Sequence, residues 1–80
     1  MTDHKPLPVP GYVAQSDANV ASVKQNKEME EVLLRRLDAL KTDATADQRW
    51  LAIGRTHIEE GFMAINRSIF KPQRAKLPTD

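Results

Sequence analysis

Few side chains in this sequence could do covalent chemistry, and their placement argues for binding instead. There are no cysteines, which removes thiolate nucleophiles, disulfides and thiolate metal sites together. The two histidines, His4 and His57, lie far apart in different kinds of segment, so a metal staple is not expected. Catalysis needs a nucleophile, acid or base held beside its partner in a dry cleft. No Ser/Asp arrangement accompanies His57, which reads as a packing or capping histidine. Glu30–Glu31 and Glu59–Glu60 are adjacent pairs, and neighbours on a helix diverge by about 100°. They read as solvated surface and not as an acid/base dyad. No Gly-rich phosphate loop and no His/Glu metal-binding helix motif occurs. The expectation is a protein that is not an enzyme, with no catalytic residue, no metal and no cofactor.

One cation stands out. Lys27 shares a helical flank with Val20, Val23 and Leu34. A lysine in such company commonly snorkels, laying its stem on apolar surface with the amine in water. Alternatively it meets an anionic ligand at a subunit interface, where apolar neighbours would strengthen the attraction. The residues alone leave both readings open.

The elements that must position these groups are helical. From Ser16 to Lys41 there is neither proline nor glycine, and residues 27–40 are dense in good helix formers. Ser16 or Asp17 is the expected N-cap. Met29, Leu33, Leu37 and Leu40 recur at steps of four, four and three, which marks one face of an α-helix. The stretch 42–46 holds residues that prefer turns. Asp47 is then placed to cap a second helix, and Thr45 with Gln48 has capping-box spacing. Leu51, Ile58, Phe62, Ile65 and Ile69 form its stripe, and Pro72 ends it.

The fold class is therefore all-α, an antiparallel two-helix hairpin. An extended proline-rich arm occupies residues 1–15, with Pro6, Pro8 and Pro10. The hairpin domain covers 16–72, with helices at about 17–41 and 47–70, and residues 73–80 form a polar tail. Two rods pressed together have one seam, so their other faces should matter. Gly54 and Gly61, seven residues apart, each cost up to about 1 kcal/mol relative to alanine in a helix interior. Their spacing suggests that another backbone comes close. Ile53, Met63 and Phe70 suggest a further contact surface.

Totals set the remaining bounds. Eighty residues form one small domain, and chains of this size usually need a staple. With disulfides and metals set aside, self-association is the one left. The net charge of +1 and pI near 8.1 give no basic field for a DNA or RNA polymer. No apolar run approaches the roughly 18 residues of a membrane span, and no hydrophobic stretch follows Lys5 as in a secretory signal. Cytoplasmic residence is expected.

The run of residues 47–72, Asp47-Gln-Arg-Trp-Leu-Ala-Ile-Gly-Arg-Thr-His-Ile-Glu-Glu-Gly-Phe-Met-Ala-Ile-Asn-Arg-Ser-Ile-Phe-Lys-Pro72, resembles the phage anti-CBASS protein 2 family, small sponge proteins called Acb2. Gly11-Tyr12 and Lys27 extend the resemblance over most of the remaining chain. It implies a homohexamer of hairpins that sequesters cyclic dinucleotides such as 3′,3′-cGAMP without cleaving them. Cyclic trinucleotides are a further candidate ligand. Sequestration would block CBASS-type antiviral signalling in the cytoplasm of the infected host. By the same resemblance, Tyr12 and Lys27, fifteen residues apart, contact the ligand, with Arg67 in the Asn-Arg motif of the second helix assigned more loosely.

That assignment suits the chemistry. A nucleobase offers a flat face on which an aromatic ring stacks for about 1–3 kcal/mol, and lysine is a point charge for phosphate. The competing expectation is a helical-hairpin module that docks on a host protein and inhibits it.

Overall fold

The computed structural model describes residues 14–80. It contains two helices, α1 (Asp17–Lys41) and α2 (Gln48–Phe70), packed as a hairpin, with no strand among the described residues. The proline-rich arm up to Val13, with Tyr12 in it, lies outside the described residues.

Each helix begins and ends for a local reason. Ser16 is the N-cap of α1, its Oγ accepting from the Asn19 amide at 3.1 Å. Thr42 closes α1, its amide and hydroxyl both donating to the Ala39 carbonyl. Asp47 caps α2 by accepting from the Trp50 amide at 3.1 Å. The capping box anticipated between Thr45 and Gln48 does not form. The Thr45 hydroxyl and amide both donate to Asp43 Oδ1, at 2.6 and 2.9 Å. Gln48 Nε2 instead reaches back to the carbonyls of Leu40, Asp43 and Ala46, tying the two helices across the turn. The Thr45 hydroxyl and then its amide hold the Asp43 carboxyl below its ordinary range, so the turn is firmest with Asp43 ionised. Lys71 ends α2 in the left-handed region, φ 47°. Pro72 comes next and keeps residue 71 from continuing as helix.

The seam is rotated from the face that the leucine spacing suggested. On α1 the covered positions include Val23, Asn26, Glu30, Leu34, Leu37 and Leu40, whereas Met29 and Leu33 are exposed. On α2 they include Leu51, Arg55, Ile58, Phe62, Asn66 and Ile69, and Ile65 is half exposed. The seam also holds a polar pair, Asn26 Nδ2 donating to Asn66 Oδ1 at 3.1 Å, at positions that an apolar count passes over. Val23 and Leu34, which the sequence put on a separate flank, therefore belong to the hairpin contact.

A second fastener joins the open end, where Gln15 Nε2 donates to the Phe70 carbonyl at 2.8 Å. Among the described residues only Val23 is buried, at 4% exposure. The Cα radius of gyration is 17.5 Å, against about 12 Å for a compact chain of this length. One hairpin alone has a seam but no enclosed core.

Candidate functional site

The two sides of the seam differ in chemistry. At about 100° per residue, Met29 and Leu33 of α1 turn to the same side as Trp50, Gly54, Gly61 and Ile65 of α2. Trp50 is 68% exposed, and Met29, Leu33 and Ile65 also keep about half of their surface open. A Cβ built on Gly54 or Gly61 meets nothing within 4 Å. The close backbone approach anticipated at these glycines is therefore not made by α1. His57 sits exposed on this flank and neither packs in the seam nor caps a helix.

The opposite side carries the charge. Arg55 Nη1 donates to Asp38 Oδ1 at 2.9 Å and its Nε lies 3.9 Å from Glu59. The hydrogen bond to Asp38 raises the Arg55 guanidinium above its usual range, so this cation stays charged and engaged. Near it, Leu37, Asp38, Lys41, Gln48, Leu51, Ala52 and Arg55 line an open groove of about 550 Å³ at the turn end. Within it Arg55 already pairs with Asp38, and the Gln48 amide donates to backbone carbonyls.

Lys27 and Arg67 lie away from that groove, towards the other end of the hairpin. Each directly succeeds one of the two asparagines joined across the seam, so the Asn26–Asn66 bond sets them at the same height. Both are exposed, and among the described residues neither has an ion-pair partner. By helical winding Lys27 projects about 70° from the seam centre of α1, and Arg67 about 145° from that of α2, towards the same side. Half-buried Phe70 and exposed Met63 lie between them. Within one protomer the two cations flank a surface and do not converge on a point. Lys27 is free to meet an anion, and its neighbour Val20 is half exposed, as a snorkelling lysine would also have it.

Tyr12 lies outside the described residues, three positions before Gln15, which docks on the end of α2. The structure thus places two of the three residues singled out in the sequence. It adds the Asn26–Asn66 pair, which hydrophobic periodicity does not register. The signal that could have found it is a pair of amides at seam spacing, since an asparagine inside an apolar stripe commonly sets register.

Among the described residues no group of three or more acidic, histidine or cysteine side chains is gathered to hold a metal ion, and no helix is long and apolar enough to cross a membrane. Among curated proteins and solved structures nothing matches. The family model described as Acb2/Tad1, hairpin domain, matches residues 5–70. That span takes in both helices, the arm from Lys5, and Tyr12, Lys27 and Arg67, and the chain belongs to the Acb2/Tad1 hairpin-domain family.

Proposed function

We propose that this chain is a phage anti-defence protein that sequesters cyclic dinucleotide second messengers in the host cytoplasm, and so starves a CBASS-type effector. The observation that carries the reading is the family match across residues 5–70, which includes every residue assigned to the ligand. Family membership suggests the anti-defence role; sequestration without cleavage is the finer step. Tyr12 stacks on a base, and Lys27 meets a phosphate. Arg67 supplies a second cation at the same height. Cyclic trinucleotides are a secondary candidate ligand.

A cyclic dinucleotide has near two-fold symmetry, which suits an isologous interface where each subunit contributes one tyrosine and one lysine. The flanking, non-convergent disposition of Lys27 and Arg67 supports a site shared between copies. The proposed assembly is a homohexamer of hairpins. The open side bearing Trp50, Met29, Leu33 and Ile65 is the surface offered for it. Covering the open part of Met29, Leu33 or Ile65 gains about 1 kcal/mol each, and covering the larger exposed Trp50 gains more.

The same apolar side favours one other reading, docking on a host protein. Thermal unfolding separates the two. A sponge is stabilised by ligand alone, by about 2.7 kcal/mol when free cyclic dinucleotide is a hundredfold above Kd. A docking module shows no shift with any cyclic oligonucleotide.

A further inference from the structure

The family match ends at residue 70, and the ten residues after it are chemically unlike the hairpin. Residues 71–80 hold Lys71, Arg74 and Lys76 against one acid, Asp80, whereas residues 14–70 carry eight Lys/Arg and nine Asp/Glu. The positive balance of the described chain thus resides in its last ten residues. All three tail cations are exposed, and among the described residues none has an ion-pair partner. The one carboxylate in the tail is turned onto its own backbone, Asp80 Oδ2 accepting from the Leu77 amide at 2.8 Å; it pairs with none of the three cations and leaves the segment with a net positive charge.

The tail leaves at the right place. Lys71 adopts φ 47° and Pro72 comes next, which takes the chain off the α2 axis into an extended segment. That exit is beside the Gln15–Phe70 bond. From Asn66, level with Lys27 and Arg67, to Phe70 is four residues, about 6 Å along the helix. Four further extended residues reach about 13 Å, enough to bring Arg74 back to that height.

We infer that the tail segment Lys71–Lys76 captures the phosphodiester anion electrostatically and guides it to the Lys27/Arg67 side of the hairpin. This rests on the sequestration reading and adds to it a role for residues beyond the family match. Cations within a Debye length of a site, about 10 Å at 0.1 M salt, raise the local ligand concentration and the association rate. A small dianion fits this arrangement better than a nucleic-acid polymer. A polymer lying along the hairpin would run past Glu28, Glu31, Glu59 and Glu60, all exposed.

The test is stopped-flow association of a fluorescent cyclic dinucleotide with the full chain. It compares wild type, the Arg74→Gln/Lys76→Gln variant, and a Lys41→Gln/Arg49→Gln variant that loses the same charge at the turn end. The tail variant should associate about three- to tenfold more slowly at low salt and within about twofold of wild type at 0.5 M, with dissociation little changed. The turn-end variant should match wild type. Equal rates in all three, an equal slowing in both variants, or preferential capture of a mixed-sequence oligonucleotide by the tail would overturn the inference and leave the sponge reading intact. Wild type that binds no cyclic dinucleotide would overturn both.

Discussion

Gly61 gives a test in which the sign of the effect distinguishes an open face from a packed one. A Cβ at this position meets nothing within 4 Å in the single hairpin. If that face stays in solvent, Gly61→Leu only removes the glycine penalty and stabilises α2 by about 0.8 kcal/mol. If a second copy packs there, the added side chain overfills a contact shaped for glycine, at about 1–3 kcal/mol. Set against the propensity gain, the net loss is up to about 2 kcal/mol per contact, a weakening of association by as much as about thirtyfold. Sedimentation velocity combined with thermal unfolding over a hundredfold range of protein concentration reads both quantities. The account predicts a smaller assembly and a Tm that falls most at low concentration. An unchanged mass with a raised Tm at every concentration would refute the reasoning, because it is the signature of a free helix surface.

Other perturbations act on particular contacts. Tyr12→Ala should leave the assembly intact and weaken cyclic dinucleotide binding by the value of one stacked ring, about 1–3 kcal/mol; unchanged affinity by calorimetry in a correctly assembled variant removes the stacking role. Asn26→Ala leaves Asn66 without its seam partner and should cost about 1–2 kcal/mol, while Asn26→Leu/Asn66→Leu should recover most of that. Chemical denaturation checks this, and equal losses in both variants would contradict the seam assignment. Lys71→Gly should stabilise the hairpin by about 1 kcal/mol, since glycine takes the left-handed conformation without steric cost; a loss in Tm would show that the Lys71 side chain contributes more than its backbone strain removes.

Much of the hairpin is legible in the sequence because its punctuation is local. Ser16, Asp47 and Pro72 act on their own neighbours, so helix ends come from residue type alone. The seam is less legible. Leucine spacing points to Met29 and Leu33, yet the hairpin closes on Val23, Asn26 and Leu34, with an amide pair in the seam towards its open end. Periodicity counts apolar residues and cannot see that two asparagines satisfy each other across forty positions. It also cannot tell whether an apolar stripe faces the sister helix or another chain. Met29, Leu33 and Ile65 fit an intramolecular stripe by that count and are open in the single hairpin. Thr45 departs from its capping-box spacing because Asp43, two residues earlier, offers its hydroxyl and amide a closer acceptor.

The candidate site divides in the same way. Lys27 is visible as a cation in apolar company, and Arg67 and Tyr12 through the family resemblance. What spacing cannot supply is their relation in space. Lys27 and Arg67 are forty residues apart and share a height because each follows one of the asparagines paired across the seam. Under the proposed function, their divergence around the two helices means that a ligand engaging both would draw on more than one copy.

Titration calorimetry of the intact protein with 3′,3′-cyclic GMP–AMP, followed by heat denaturation and chromatography of the released nucleotide, tests the central claim most directly. The account predicts saturable, tight binding at no more than one ligand per two subunits, with the nucleotide recovered unchanged. Recovery of a linear or hydrolysed product would contradict sequestration, and absence of binding to this ligand and to a panel of cyclic oligonucleotides would overturn the proposed function while leaving the hairpin as described.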